Sequence, residues 1–133
     1  SKKDRISKIR KVFGYIDCPG TTPEGLCFEA IADTISSATS TTESYFLNLS
    51  DGYPYFENRD ITYYGSEAVR HTRDQVNKMK ANGVKVLSYF IAGTGYASCS
   101  ESFTTMYGAD AEFIDTKKLG QLAKSLNNKF LIK

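Results

Sequence analysis

Asp51 and Thr22 are the residues of this chain whose type and position best suggest chemistry. Asp51 lies between the β-prone run Tyr45–Ser50 and Gly52, at the end of a predicted strand. Thr22 directly precedes Pro23, which begins a predicted helix. A carboxylate and a hydroxyl are hard oxygen ligands of the kind that Mg²⁺ takes, about six of them in all. The pattern predicts an oxygen-lined cation site, although two ligands alone would bind weakly and others would have to join them.

The elements that would position these residues alternate between strand and helix. Three β-prone runs predict strands: Tyr45–Ser50, Val84–Ile91 and Ala111–Ile114. Apolar residues at helical spacing predict helices from about Pro23 to Ser36, from Ser66 to a stop at Asn82-Gly83, and after Thr116. This alternation favours parallel βαβ units, so we expect one α/β domain over residues 1–133, with a doubly wound, mainly parallel sheet and helices on both faces. Ligands of such sheets bind beyond the carboxyl ends of the strands.

The remaining segments have weaker patterns. Thr22, Ser66 and Thr116 are predicted to cap the three helices. Residues 53–64 are rich in aromatic side chains without a regular period, which predicts a long loop. We further predict a basic helical start over residues 1–11, a Ser/Thr connection over 36–44, a small-residue loop over 93–102, a helical turn over 103–107 and a strand or packed tail over 130–132.

Charge and hydropathy argue against polyanionic and membrane partners. The chain has 17 basic and 15 acidic residues, a net charge of +2, and its basic residues are scattered apart from the first eleven positions. We therefore expect no nucleic-acid partner. No apolar run approaches the roughly 20 residues that span a bilayer, and the basic start lacks the apolar stretch of a signal peptide. This predicts a cytoplasmic protein without a membrane segment.

Common catalytic patterns are absent from the sequence. It contains neither a phosphate-binding Gly-x-x-x-x-Gly-Lys-Ser/Thr nor a Gly-x-Ser-x-Gly, and the run Gly93–Ser98 lacks the third glycine of a dinucleotide fingerprint. Cys18, Cys27 and Cys99 have no Cys-x-x-Cys spacing, which predicts free thiols. His71 has no nucleophile or orienting partner in the sequence, so we predict a surface histidine.

The segments around Thr22 and Asp51 resemble motifs of the von Willebrand factor A domain, the integrin I-like fold. Gly20–Leu26 resembles the family's threonine motif, and Phe46–Pro54 resembles its Asp-Gly motif closely. The resemblance covers most of the chain and implies a metal-ion-dependent adhesion site that binds Mg²⁺ or Mn²⁺. It implies Asp51 and Thr22 as the metal ligands, with Thr21 as the less favoured threonine.

Several later segments are most similar to phage-encoded proteins that resemble the T subunit of aerobic cobaltochelatase. These segments are His71–Arg73, Val86–Ile91, Met106–Gly108 and Gln121–Lys124. The similarity implies a non-catalytic subunit of a chelatase-like complex, connected with cobalamin biosynthesis, whose protein partner is an AAA+ ATPase. The metal at the adhesion site would complete its coordination with a carboxylate of that partner.

The chain departs from this family at the first adhesion motif, because it contains no Asp-x-Ser-x-Ser. The family carries that motif on the strand beside the one that ends at Asp51, so the chain resembles a domain whose first part is missing. The strand Tyr45–Ser50 would then be an apolar edge, which favours pairing with the missing half, a homo-oligomer or a swapped dimer. Metal binding by Asp51 and Thr22 would be weak or lost, with Ser50 as a donor that orients Asp51.

Two other functions stay open. A metal-free assembly module would dock through the exposed strand edge and the aromatic residues 53–64, and would need no cation. A Mg²⁺-dependent phosphotransfer enzyme built around Asp51 would need a second carboxylate, such as that of Asp17, to approach it. No sequence feature sets that distance.

Overall fold

The computed structural model of the chain describes residues 21–35, 39, 41–92, 97–115, 117 and 119–131. Its strands are β1 (Ser44–Ser50), β2 (Phe56–Glu57), β3 (Thr62–Tyr63), β4 (Val84–Ala92) and β5 (Ala111–Asp115). Its helices are α1 (Glu24–Ile31), α2 (Gly65–Ala81), α3 (Ala97–Tyr107) and α4 (Leu119–Leu131), with 3₁₀ turns at Ala32–Thr34 and Gly108–Asp110.

The main sheet is parallel, with β4 between β1 and β5. The register of β1 on β4 runs from Ser44 opposite Val84 to Ser50 opposite Phe90. β5 pairs with the second half of β4, from Ser88 onward. Parallel neighbours require a crossover, and α2 and α3 provide the two crossovers here. The predicted α/β class with a mainly parallel sheet is confirmed.

One face of the sheet packs against α1, α2 and α3. Phe46, Val86 and Phe90 point to this face and share one core with apolar side chains of the three helices. The helical members of this core are Phe28, Val69, Val76, Met79, Phe103, Met106 and Tyr107. An edge-to-face contact between Phe28 and Phe46, with ring centroids 5.0 Å apart, joins α1 to β1.

The opposite face packs against α4. Leu87, Tyr89 and Ile114 form a second buried cluster, and Leu122 and Leu126 of α4 pack against it. Helices therefore flank both faces of the sheet, although both crossover helices, α2 and α3, lie on the same face. None of the helices in the described ranges combines the length and apolar character needed to cross a bilayer.

The outer edge of β1 has no strand partner among the described residues. Leu47 and Leu49 alternate on one face of this strand, and they are 43% and 52% exposed. Both lie on the face that α4 covers, but beyond the cluster that α4 buries. Their exposure agrees with the apolar strand edge that the sequence predicts.

The predicted helix caps are wrong at the first two helices. Pro23 precedes α1 and Tyr64 precedes α2, and neither helix has a side-chain cap. The backbone carbonyl of Thr22, rather than its hydroxyl, accepts the hydrogen bond from the Glu24 N–H. α2 begins at Gly65, one residue before the predicted Ser66; Tyr64 is extended, and Gly65 has a φ of +65°, which glycine adopts readily.

Two segments between the main strands carry more structure than their patterns predict. The predicted loop over residues 53–64 contains the β2–β3 hairpin, which turns because the Asn58 side-chain oxygen accepts the N–H groups of Asp60 and Ile61 at 2.9 and 2.7 Å. α3 already begins at Ala97, where small and polar residues show no apolar period in the sequence.

The C-terminal ends of α1 and α4 also differ from the prediction. α1 ends at Ile31 and continues only as a 3₁₀ turn, short of Ser36. α4 runs through Phe130 to Leu131, where a strand or packed tail was expected, because Leu122 and Leu126 keep it on the sheet. The predicted stop of α2 at Asn82-Gly83 is confirmed, with Gly83 at a φ of +78°. The predictions for residues 1–11, Asp17, Cys18 and Thr116 lie outside the described residues.

Candidate metal site at the carboxyl edge of the sheet

The segment that leads into α1 joins the loop that follows β1. The carbonyl oxygen of Thr22 accepts hydrogen bonds from the backbone N–H groups of Tyr55, at 3.1 Å, and Glu24, at 2.9 Å. Tyr55 belongs to the same loop as Asp51, so Thr22 and Asp51 reach the same carboxyl edge of the parallel sheet. Both residues are exposed. The structure therefore brings the two predicted ligand residues to one edge, where solvent can reach them.

A tight turn fixes Asp51 at the end of β1. The Ser50 hydroxyl oxygen accepts a hydrogen bond from the Gly52 N–H at 3.0 Å, which closes the turn around Asp51. Gly52 has a φ of +99°, and a Cβ atom there would lie 1.8 Å from the Phe90 ring. Only glycine fits this position. Ser50 thus orients Asp51 by holding the backbone of the turn, rather than through the Asp51 carboxylate.

Glu24 lies beside this edge, and the sequence analysis did not single it out. It is the first residue of α1, yet it is only 4% exposed. Its Oε1 accepts a hydrogen bond of 2.6 Å from Nδ2 of Asn48 on β1. Its Oε2 is buried and has no hydrogen-bond partner in the described part of the chain. An acidic residue in a helix's first turn is ordinarily explained by the helix dipole, so no local pattern marks this one as buried.

The environment of Glu24 disfavours its charged form. Burial is the largest cause and raises the pKa of its carboxyl, and the negative charge of Asp51 raises it further. Hydrogen bonding by Asn48, with smaller contributions from the nearby Tyr107 and Ser50 hydroxyls, lowers the pKa but does not outweigh burial. Burial therefore decides the direction of the shift.

Asn48 organises the buried polar groups below the edge. Its Nδ2 group donates both to Glu24 and, at 2.8 Å, to the hydroxyl of Tyr107 at the end of α3. Burial raises the pKa of Tyr107 well above its usual range, and the charge of Glu24 adds to this, so the hydroxyl stays protonated. Ser88, opposite Asn48 in the register of β1 and β4, has a buried hydroxyl without a partner among the described residues. These polar groups lie within an otherwise apolar core.

The donor set at this edge fits a hard cation in kind. Asp51 and Thr22 offer a carboxylate and a hydroxyl to solvent, and oxygen donors of this type suit Mg²⁺ or Mn²⁺. The described residues contain no group of three or more histidine, cysteine, aspartate or glutamate side chains that could hold a metal by themselves. A cation here would therefore need hydroxyl groups, water or a partner's oxygen as well.

His71 belongs to a separate cluster between α1 and α2. Its Nδ1 lies 3.0 Å from the hydroxyl of Tyr63, which also contacts the Thr72 hydroxyl at 3.2 Å. On the other side of the ring, Nε2 lies 3.0 Å from the Gln75 amide nitrogen. A Cβ atom at Gly25 would lie 2.3 Å from the Tyr63 hydroxyl, so these groups pack directly on α1. The predicted surface histidine is half-buried, and its Nε2 lies 3.6 Å from a carboxylate oxygen of Glu29 on α1.

A comparison with protein-family models, curated proteins and solved structures finds no match to this chain. No relative therefore supplies a ligand or a partner for the edge around Asp51.

Proposed function

We propose that this chain is a metal-ion-dependent protein-interaction domain of the von Willebrand factor A type. Asp51 and Thr22 would hold Mg²⁺ or Mn²⁺ at the carboxyl edge of the sheet, and a carboxylate of a protein partner would complete the coordination. The observation that carries the proposal is the hydrogen bond from Tyr55 to Thr22, which fastens the start of α1 to the loop after Asp51. This bond supports the proposal because it joins the segment that contains Thr22 to the loop that contains Asp51, at the edge where α/β sheets bind ligands.

The chain's own residues would prepare this edge for a cation. The Gly52 turn holds Asp51 at the strand end, and the backbone pairing with Tyr55 holds Thr22 beside it. When bound, Mg²⁺ would supply a compact positive charge that retains exchangeable water positions. A partner's carboxylate could replace such a water, so binding would depend on the cation and on an acidic residue of the partner.

The similarity to cobaltochelatase-associated phage proteins extends this proposal to the partner. On that similarity we propose an AAA+ ATPase as the partner and a non-catalytic role for this chain. A phosphotransfer role with a second carboxylate, such as that of Asp17, stays a prediction, because Asp17 lies outside the described residues.

Acetate tests the proposed chemistry without knowledge of the partner. Amide NMR spectra of the full chain would be recorded with millimolar acetate, with and without Mg²⁺. We expect acetate to shift the signals of residues 51–55 only when Mg²⁺ is present, and the Asp51→Asn variant to lose this response. The same acetate shifts in EDTA, or none in Mg²⁺, would contradict the proposal.

A metal-free assembly role is favoured by one observation, the exposed edge of β1. Leu47 and Leu49 present apolar side chains on a strand whose outer edge has no partner in the described part of the chain, a combination that promotes strand pairing. Analytical ultracentrifugation would test this role. If β1 mediates assembly, Leu49→Lys should dissociate an oligomer that forms in EDTA. The matched variant Ile61→Lys, at a similarly exposed site on the β2–β3 hairpin, should leave it intact.

A further inference from the structure

The carboxyl group of Glu24 is the one buried acid of the described residues with an unpartnered oxygen. From this we infer that Glu24 is an additional ligand of the cation at Asp51 and Thr22, and supplies a carboxylate that the absent Asp-x-Ser-x-Ser motif does not. This inference rests on the proposed function. It assigns the site a residue that neither the sequence patterns nor any relative indicates.

The position of Glu24 meets the first requirement of a ligand. It follows Thr22 by two residues at the start of α1, and its Oε1 accepts a hydrogen bond of 2.6 Å from Asn48, three residues before Asp51. Glu24 is therefore tied to the strand that leads to Asp51, and the Thr22–Tyr55 hydrogen bond joins the start of α1 to the loop after β1.

The hydrogen bonding of Glu24 meets the second requirement, because one carboxyl oxygen accepts a hydrogen bond and the other has no partner among the described residues. Asn48 donates to Oε1 and thereby sets the orientation of the carboxyl plane, while Oε2 lacks a partner. A buried carboxyl whose role was only to anchor α1 would gain by satisfying both oxygens. Asn48 is accordingly a positioning residue for the site, through its bond to Glu24.

The charges around the edge meet the third requirement. The ion pairs of the described residues are formed by other acidic groups, namely Glu29, Glu43, Asp74, Asp110 and Glu112. Neither Glu24 nor Asp51 forms an ion pair with a basic side chain of the described residues. A divalent cation is the group that offsets two neighbouring carboxylates and also accepts an oxygen with no hydrogen-bond donor.

Calorimetric titration of the full-length chain with Mn²⁺ tests the inference. Glu24→Gln keeps the side-chain size and the oxygen that accepts from Asn48, but it replaces the free carboxylate oxygen. We expect it to weaken Mn²⁺ binding by about tenfold or more. The control Glu29→Gln, at an exposed position of the same helix, should bind Mn²⁺ within about twofold of the original chain. Asp51→Asn is titrated beside them.

The outcomes separate this inference from the proposed function. If Asp51→Asn abolishes Mn²⁺ binding while Glu24→Gln binds normally, Glu24 is a structural acid and the inference is overturned, although the proposed function stands. If the original chain binds no Mn²⁺, the proposed function fails and the inference falls with it. Should Glu24→Gln not fold, carbon-13 NMR of the original chain decides: Mg²⁺ should shift the Glu24 carboxyl signal, and an unchanged signal would overturn the inference.

Discussion

Glu24 and Glu112 lie on opposite faces of the sheet, and the groups that surround their carboxyl oxygens differ. Glu112, on the α4 face, pairs with Lys129 and accepts a hydrogen bond of 2.7 Å from the Ser125 hydroxyl. Glu24, on the other face, has one bond from Asn48 and faces the like charge of Asp51. Each oxygen of Glu112 is matched, and one oxygen of Glu24 is not.

The pKa values of the two carboxyl groups move in opposite directions. Burial acts to raise the pKa of Glu112, but the bonds from Lys129 and Ser125 outweigh it and lower the pKa. For Glu24 burial prevails, and the pKa is raised. A charged Glu112 therefore stabilises the fold, whereas a charged Glu24 destabilises it unless a cation is present. The comparison separates a carboxylate whose charge the fold stabilises from one whose charge the fold opposes.

The largest expected difference in the free energy of unfolding is between alanine substitutions of two glycines, Gly52 in the turn at Asp51 and Gly120 in α4. Gly52→Ala should lower the free energy of unfolding by about 3 kcal/mol, because the new Cβ collides with the Phe90 ring at a positive φ. Gly120→Ala in α4, where a Cβ has nothing within 4 Å, should raise it by up to about 1 kcal/mol. Urea unfolding of both variants would measure this, and equal midpoints would contradict the rigid turn at Asp51.

The next largest effect on stability is expected when the hydroxyl of Tyr107 or of Tyr89 is removed. Tyr107→Phe removes the acceptor of one Asn48 N–H, and it should cost about 1.5 kcal/mol because a buried donor is left unpaired. Tyr89→Phe removes a hydroxyl that lies 3.1 Å from Ser125, but Ser125 keeps its bond to Glu112, so we expect about 0.5 kcal/mol. Guanidinium unfolding would check the order. A larger loss for Tyr89→Phe would show that the Asn48 network is not well formed.

Neutralising the two glutamates should change stability in opposite directions. In metal-free buffer at pH 7, Glu24→Gln should raise the free energy of unfolding by roughly 1 kcal/mol, since burial opposes the ionisation of the Glu24 carboxyl and glutamine does not ionise. Glu112→Gln should lower it by roughly 1 kcal/mol, since it breaks the pair with Lys129. Thermal unfolding in EDTA compares them directly. Destabilisation by both variants would remove the distinction between the two carboxyl groups.

The smallest expected effect is the pH dependence of the Glu112 contribution. Its folded pKa lies below the ordinary value of 4.5, so the stability it adds is present above that value and is lost as pH falls through the folded pKa. The difference between the original chain and Glu112→Gln should therefore shrink toward zero on acidification. Unfolding curves from pH 7 to pH 3 would show this trend, whereas a difference that grows in acid would contradict the pairing with Lys129.

The parallel sheet was accessible from the sequence because its strands are apolar runs bounded by turn residues. Tyr45–Ser50 ends at Asp51-Gly52 and Val84 follows Asn82-Gly83, and both boundaries reappear in the structure within one or two residues. α3 was less accessible, since Ala97–Ser102 consists of small and polar residues that become helical only as Phe103 and Met106 pack into the core.

Only part of the candidate site could be predicted from the sequence, and the reason is physical. Strand ends and helix starts of a parallel sheet meet at one edge, so topology together with the motif resemblance predicts Asp51 and Thr22. The burial of Glu24 depends on Asn48 and Tyr107, which lie far away in sequence and reach it only in the folded core. Such a contact leaves no local pattern.

The central claim is that a cation binds at the edge formed by Asp51 and Thr22, and paramagnetic NMR tests it most directly. Substoichiometric Mn²⁺ would be added to the nitrogen-15-labelled full chain, with Asp51→Asn and the control Asp60→Asn, an exposed acid of the β2–β3 hairpin, run in parallel. We predict selective broadening of the amide signals of residues 22–25 and 50–55 in the original chain and in Asp60→Asn, and none in Asp51→Asn. Broadening that is absent, lies elsewhere or survives Asp51→Asn would contradict the claim.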